Sequence, residues 1–143
     1  MKLSPLEEYG LRCLIQLARS NGIQPVTIRQ ISEGEGLSAA YVGKLMFLLQ
    51  KADLVRSTRG VQGGYVLARP ARAMNLNEVF QALDPGAFED VCGKFTGNNG
   101  DACVHSGACA IKSVWRGLSE RINSYLEQVS LADLAQVPIL QEV

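Results

Sequence analysis

The chain has 143 residues, of which 47% are hydrophobic, and this is enough for one ordinary globular domain with its own core. Its apolar runs fall short of the ~20 residues that a membrane-spanning helix needs, and the N-terminal stretch MKLSPLEEYG lacks the cationic and apolar regions of a secretory signal. We therefore expect a cytoplasmic protein with no membrane partner.

The formal net charge of zero conceals two halves of opposite sign. Residues 1–72 contain ten Lys/Arg and five Asp/Glu, whereas residues 73–143 contain four Lys/Arg and nine Asp/Glu. The first half is therefore the half that attracts phosphate groups.

The first predicted element is a helix over roughly residues 4–20. Ser4 is a favourable N-cap, Pro5 suits the first helical position, and Glu7 completes a capping box. Cys13 falls on the apolar stripe of this helix, where a cysteine usually serves as a small buried hydrophobe. The other members of the stripe are Leu6, Tyr9, Leu14 and Leu17.

Two further helices are predicted close behind the first. Thr27 and Gln30 repeat the capping-box pattern and open a short helix that ends in the turn EGEG. Ser38 caps the next helix, which has a predicted buried stripe of Val42, Leu45, Leu48 and Leu49. Two short helices around a tight glycine turn form a helix-turn-helix.

The stretch LVRSTRGVQGGYVLARP then predicts a β-hairpin, with β-prone runs at residues 54–57 and 65–68 around a basic, glycine-rich tip. A helix-turn-helix followed by a hairpin is the layout of a winged helix, which places one helix in the major groove of DNA and its wing in a minor groove. Each polar residue taken alone is better explained as solvated surface, and only the ordered combination indicates DNA binding. The predicted contacts are Ser38, Ala39, Tyr41 and Lys44 on the third helix, with small Gly43 permitting close approach, and Arg56, Arg59 and Gly63 on the wing.

The rear half of the chain predicts one short and one long helix. Asn75 caps the short helix with Glu78 at its third position, and Pro85-Gly86 ends it. The long helix spans about residues 108–129, and its apolar stripe exceeds the needs of one small domain, so we expect it to pack against a second copy of the chain. The alternative is that it folds back on its own domain. The apolar positions are Leu76, Val79, Phe80 and Leu83 in the short helix, and Ile111, Val114, Trp115, Leu118, Ile122, Tyr125, Leu126 and Val129 in the long one.

These elements give three segments and a fold class. The fold is mainly α with a small β-hairpin wing, a winged helix-turn-helix followed by a long dimerisation helix. The segments are a DNA-binding domain at residues 1–72, a connecting helix and cysteine loop at 73–107, and the dimerisation helix with a tail at 108–143. The tail itself predicts a short helix and an extended end.

The chain resembles the IscR/NsrR family of winged-helix transcription regulators, many of which bind an iron–sulfur cluster. The resemblance rests on YGLRCLIQLA, on LSAAYVGKLMFLLQKADLVRSTRGVQGGYVLARP, on LNEVFQAL and on CAIKSVWRGLSERINSYLEQVSLADL. It implies a homodimer with crossing long helices, recognition helices in successive major grooves of a pseudo-palindromic operator, and three cysteines per subunit that hold a cluster near the dimer interface.

The cluster ligands implied by this resemblance are Cys92, Cys103 and Cys109, which lie in a Gly- and Asn-rich loop. Thiolates are the usual ligands of iron–sulfur clusters, and in a reducing compartment clustered cysteines favour metal or redox chemistry over disulfides. Here ten residues separate the first two cysteines and five the last two, whereas many relatives have five in both places. Lys112 stands where one relative has a histidine ligand, and a protonated lysine cannot replace it.

Two candidates remain for the fourth ligand. Glu8 lies in the first helix, where other members of the family place an acidic ligand, and it is the preferred candidate. His105 is the alternative, because imidazole replaces thiolate in some two-iron clusters. Either residue is also consistent with ordinary surface chemistry, Glu8 as an acid near a helix N-terminus and His105 as a solvated loop residue. A [2Fe–2S] cluster is favoured over a [4Fe–4S] cluster.

The expected function is a DNA-binding regulator, with a repressor favoured, that responds to redox state, nitric oxide or iron–sulfur status. One alternative is a metal-free thiol–disulfide switch, and another is a structural zinc site formed by Cys92, Cys103, Cys109 and His105, although the irregular spacing is unlike paired zinc knuckles. A regulator that binds DNA without sensing anything is a third. An enzyme is not expected, because a cysteine paired with His105 lacks an orienting third group.

Overall fold

The computed structural model describes residues 3–20, 24–60, 63–86, 88 and 109–136. Its elements follow the predicted order, and the fold is mainly helical with a two-stranded hairpin, as predicted. The helices and strands are α1 (Pro5–Arg19), α2 (Ile28–Glu35), α3 (Ala39–Lys51), β1 (Val55–Thr58), β2 (Gly64–Leu67), a 3-10 turn (Ala71–Ala73), α4 (Leu76–Leu83), α5 (Lys112–Gln128) and α6 (Leu131–Ala135).

Side-chain caps fix where the helices begin. The Ser4 hydroxyl accepts a hydrogen bond from the Glu7 N–H at 3.3 Å, and the Glu7 carboxylate accepts one from the Ser4 N–H at 2.6 Å. The predicted capping boxes at the starts of α2 and α4 are present as well. Each box satisfies backbone donors that have no partner within the helix, and losing such a cap costs about 1 kcal/mol.

The larger of the two apolar clusters among the described residues joins elements from both halves of the chain. Cys13, Leu14 and Leu17 of α1 pack with buried residues of α2 and α3, and α4 and α6 close the same cluster. Where α1 and α4 meet, a Cβ on Gly10 would lie 2.6 Å from the Leu83 methyl carbons, so these two helices approach closely. The other buried members are Ile31, Val42, Leu45, Met46, Leu49, Leu54, Val55, Met74, Val79, Leu83 and Leu131. The predicted stripe of α3 was wrong at one position, because Leu48 is only half-buried and Met46 is fully buried.

The hairpin is tied to the segment that precedes α2. Its antiparallel register pairs Val55 with Leu67 and Thr58 with Gly64, one residue away from the predicted strand limits. Val26 exchanges two backbone hydrogen bonds with Tyr65, of 2.8 and 2.9 Å. A Cβ on Gly64 would lie 2.6 Å from the Val26 carbonyl oxygen, so the bridge requires a residue without a side chain there. The wing is therefore held against the helix-turn-helix by its backbone.

The long helix α5 has two different parts. Its C-terminal part packs on α4, where Leu126 and Ile122 contact the cluster of Leu76 and Phe80. Apolar residues nearer its N-terminus stay exposed, with Val114 at 64% and Trp115 at 41%. Only the C-terminal part of the helix therefore packs on its own domain. None of the helices in the described ranges combines the length and apolarity that crossing a membrane requires.

Candidate functional site

The N-terminal turn of α3 presents small and polar residues to solvent. Ser38 caps the helix, and its hydroxyl accepts a hydrogen bond from the Tyr41 N–H at 3.2 Å. Ala39 and Lys44 are exposed, as expected for residues that approach a groove. Three of the predicted contact residues therefore lie together at one accessible helix start.

Tyr41 and Gly43 are half-buried and lie against other helices of the protein, which the sequence did not indicate. The Tyr41 ring is half-buried and meets the Tyr9 ring edge to face, with centroids 6.1 Å apart, so it holds α3 against α1. Gly43 is half-buried toward α2, where an added Cβ would lie 3.9 Å from Cδ1 of Ile28. Close approach of a partner at Gly43 therefore stays a prediction, and within the protein this glycine has room for a side chain.

The wing carries its two arginines outward. Arg56 is exposed on β1, and Arg59 is exposed at the tip beside Gly60, whose φ of +119° favours glycine. The Gly63 N–H donates to the Gly60 carbonyl at 3.0 Å, and a Cβ on Gly63 would lie 2.8 Å from the Thr58 carbonyl oxygen. Gly63 therefore closes the tip, and Arg56 and Arg59 provide its charge.

The basic residues of the first half differ in whether a carboxylate neutralises them. Arg12, Arg29 and Arg69 form ion pairs with Glu8, Glu33 and Glu78. Lys44, Lys51, Arg56 and Arg59 have no carboxylate within 4.0 Å among the residues that the structure describes. The unneutralised charges on α3 and the wing are available to phosphate groups.

The structure describes two of the four cysteines. Cys13 is completely buried in the core, as predicted, and burial, with a further contribution from the charge of Glu35, raises the pKa of its thiol to about 12. Cys109 is a half-buried free thiol that lies three residues before α5. Cys92, Cys103 and His105 lie outside the described residues.

Glu8 lies on the exposed side of α1, while its neighbour Glu7 is used as the capping acid. The Arg12 guanidinium donates to the Glu8 carboxylate at 2.9 Å and also lies 3.8 Å from the Glu35 carboxylate of α2. Gln16 donates to the same Glu35 at 2.7 Å. A chain of polar contacts therefore runs from Glu8 to the last residue of α2.

The donor set suits an iron–sulfur cluster in chemical type. Cys109 supplies a thiol that is free and partly accessible, and Glu8 supplies an accessible carboxylate. Within the described ranges, no group of three or more His, Cys, Asp or Glu side chains is close enough to hold a metal ion. A complete site would need the cysteines at positions 92 and 103.

Ala40, Phe47 and Lys51 share the exposed side of α3 with Lys44, and none of these three was predicted as a functional residue. The spacing of the four residues, at intervals of four, three and four, is visible in the sequence, and successive helical residues are rotated by about 100°. Counting from the buried Val42 places all four on the opposite side of the helix. Phe47 was missed because an aromatic residue in a helix is usually assigned to the core.

Comparison with known proteins gives consistent matches over nearly the whole chain. The family model Rrf2, described as iron-dependent transcriptional regulator, matches residues 3–137. The transcriptional regulator IscR of Yersinia pseudotuberculosis is 34% identical over 144 residues, which cover 100% of this chain and 84% of that protein. The structure of CymR, described as the global cysteine regulator of B. subtilis, has a TM-score of 0.79 at 26% identity and covers 97% of this chain and 99% of that one. The structure of T. potens IscR has a TM-score of 0.73 at 32% identity and covers 97% and 93%.

Proposed function

The chain belongs to the Rrf2 family of iron-dependent transcriptional regulators, and from this membership we propose that an iron–sulfur cluster controls how tightly it binds its operator. The chain is a winged-helix transcription regulator of the IscR type and not an enzyme, as the sequence predicted. What this regulator senses, and through which residues, is the proposal.

The observation that carries the DNA interface is the set of unneutralised cations on α3 and the wing. Lys44, Arg56 and Arg59 contact phosphates or base edges, and Ser38 and Ala39 lie at the helix start that enters the major groove. Tyr41 and Gly63 support these contacts by fixing α3 and the wing tip. The backbone bridge at Val26 keeps the wing and the helix-turn-helix in one orientation.

The active form in this proposal is a homodimer on a pseudo-palindromic operator, where it acts as a repressor in the cytoplasm. The exposed apolar residues of α5 provide the dimer contact, because five large hydrophobic side chains on or beside one helix leave a sizeable apolar face in water. These residues are Ile111, Val114, Trp115, Leu118 and Tyr125. In this scheme residues 1–72 bind DNA, residues 73–107 carry the cluster loop and residues 108–143 dimerise.

The cluster ligands in this proposal are Cys92, Cys103 and Cys109, with Glu8 as the fourth and His105 as its alternative. When bound, a cluster supplies a centre that oxidants or nitric oxide alter reversibly, and a [2Fe–2S] form is favoured. Ligation by Glu8 would draw the charge of its carboxylate away from Arg12, and Arg12 would then pair more closely with Glu35 at the end of α2. A ligand exchange on α1 thereby changes contacts of the helix-turn-helix.

The size of this coupling is modest. A tenfold change in DNA affinity corresponds to about 1.4 kcal/mol, which is a typical coupling free energy between two sites. The Arg12–Glu8 pair is about half exposed, so its own contribution is less than 1 kcal/mol. The remainder of the coupling would come from ligation by the three cysteines.

Anaerobic purification followed by iron and sulfide analysis tests the proposal. We expect a coloured protein with equal amounts of iron and sulfide, and a Cys103→Ala variant that is colourless and has lost the dependence of DNA affinity on the cluster. Cys13→Ala is the matched control, because its thiol is buried in the core and stays protonated. A colourless wild-type protein, or loss of colour in the Cys13 variant alone, would contradict the ligand assignment.

A metal-free thiol switch is the second candidate function, and the likeness to the cysteine regulator CymR favours it over a structural zinc site. In that case the wild-type protein contains neither iron nor zinc, and its DNA affinity changes with oxidation of Cys92, Cys103 or Cys109. A structural zinc site gives a colourless protein with one zinc per subunit. The same metal analysis therefore separates the three possibilities.

A further inference from the structure

Phe47 is the one large apolar side chain that α3 exposes among its described residues. Its exposed fraction is 65%, which is among the highest of the large hydrophobic residues in the described chain. The others are Leu3 near the N-terminus and the five residues that lie on or beside α5, so Phe47 belongs to a different part of the molecule. Burial of this ring against a partner would be favourable, because it removes apolar surface from water.

The side of α3 that carries Phe47 identifies the chemistry of the partner. Ala40, Lys44, Phe47 and Lys51 are all exposed and lie opposite the buried residues of the helix. Lys44 precedes Phe47 by three residues and Lys51 follows it by four, so an ammonium group flanks the ring on each side. Neither lysine has a carboxylate partner among the described residues. A face with one apolar ring between two free cations is complementary to an apolar group lying between phosphates.

The major groove of DNA contains such an apolar group. The C5-methyl of thymine is the only hydrocarbon that a base pair presents there, and phenylalanine is among the side chains that pack against it. Phe47 is the ninth residue of α3, about 12 Å along the axis from its start, which is comparable to the width of the major groove. The exposed side of a recognition helix reaches this far along the base edges.

We propose that Phe47 is a specificity-determining residue that packs against the C5-methyl group of a thymine in each operator half-site. This inference rests on the proposed function, because it requires α3 to lie in the major groove. Lys44 and Lys51 hold the flanking phosphates and fix the register, and Phe47 adds a preference for thymine at one position. Removal of that methyl group from one half-site should weaken binding by about fourfold, the affinity equivalent of one buried methyl group.

The test begins with selection of binding duplexes from a randomised DNA pool by the wild-type chain, Phe47→Ala and Gln50→Ala. Gln50 is an exposed neighbour on the flank of the same helix and serves as the matched control. We expect wild type and Gln50→Ala to select the same thymine in each half-site and Phe47→Ala to lose that preference alone. Circular dichroism and thermal unfolding show whether each variant is folded.

The second step replaces the selected thymine of one half-site by uracil, which keeps base pairing and lacks only the methyl group. Wild-type affinity should fall about fourfold, while Phe47→Ala should bind both duplexes equally. If Phe47→Ala fails to bind at all, Phe47→Leu keeps an apolar contact and should retain sensitivity to uracil. Equal sensitivity in wild type and Phe47→Ala, or a Phe47→Leu variant that binds DNA without sensitivity to uracil, would overturn the inference. If the wild-type chain selects no sequence, the proposed function itself fails, and this is a distinct result.

Discussion

Arg59 and Arg29 differ in whether a nearby carboxylate neutralises their charge, and this decides how strongly each attracts a phosphate group. Both are exposed, but Arg29 donates to Glu33 at 2.9 Å, four residues along the same helix, while Arg59 stands at the wing tip with no carboxylate partner in the described ranges. An exposed pair of this kind contributes about 0.3–0.5 kcal/mol and leaves little net field for a phosphate. The unpaired residue keeps its full charge for the partner.

Arg59→Ala should therefore weaken binding to a duplex selected by the wild-type chain and reduce the slope of log affinity against log salt by about one phosphate equivalent. Fluorescence anisotropy over a series of salt concentrations measures both quantities. Arg29→Ala, the control, should leave the slope nearly unchanged. Equal slopes for wild type and Arg59→Ala would remove the wing tip from the set of phosphate contacts.

Cys13 and Tyr41 differ in how well the sequence alone predicts their surroundings. Cys13 was predictable as a core residue, because it repeats the spacing of Leu14 and Leu17 along α1. Its raised pKa keeps the thiol protonated at neutral pH, so this cysteine is a poor metal ligand. Tyr41 was less predictable, since packing against Tyr9 depends on how α1 and α3 cross and not on the pattern of either helix.

At the scale of elements, Gly64 and Gly43 differ in whether the surrounding structure leaves room for a side chain. Gly64 lies where β2 meets Val26, and a methyl group there would come within 2.6 Å of a backbone carbonyl oxygen. Gly43 lies inside α3, where the nearest atom to an added methyl group is 3.9 Å away at the end of the Ile28 side chain. Position 64 has no room for a side chain, whereas a methyl group at position 43 would make an ordinary van der Waals contact.

Gly64→Ala should lower the free energy of unfolding by about 1–3 kcal/mol, the usual cost of overpacking. Gly43→Ala should raise it by up to about 1 kcal/mol, because alanine has the higher helix propensity. Urea denaturation of the two variants beside wild type measures both changes. A Gly64→Ala variant as stable as wild type would show that the Val26 bridge does not constrain the wing.

Helix starts were the most predictable elements, and strand limits and packing partners the least. Short-range capping patterns predict the helix starts at Ser4, Thr27 and Asn75, and these patterns need no tertiary contact. The strands are shifted by one residue from prediction, because their register depends on the Thr58–Gly64 pair at the tip. The core shared across residue 72 was also missed, since no local pattern states that α4 and α6 pack on α1.

At the scale of the whole molecule, the two parts of α5 have different surroundings. Its C-terminal part is fixed to α4 by Leu126, and the Leu76 N–H donates to the Val129 carbonyl just beyond the helix at 2.9 Å. The helix that exposes these apolar side chains is therefore fixed to α4 at its C-terminal end. A second copy that packs on this face would be held in a defined orientation relative to both winged domains.

Val114→Arg should break such a dimer, because the new charge would be buried in the interface without a partner. The cost is roughly 3–5 kcal/mol, which raises the dimer dissociation constant by about a hundredfold or more. Ser113→Arg is the matched control, since it adds the same charge in the same turn of α5 but on the side away from the apolar stripe. Sedimentation equilibrium should show monomers for Val114→Arg and dimers for the control. DNA affinity should fall only in the monomeric variant, because a single winged domain reads one half-site. If both variants sediment as dimers, α5 does not form the interface, and the spacing of the two recognition helices must be set by another surface.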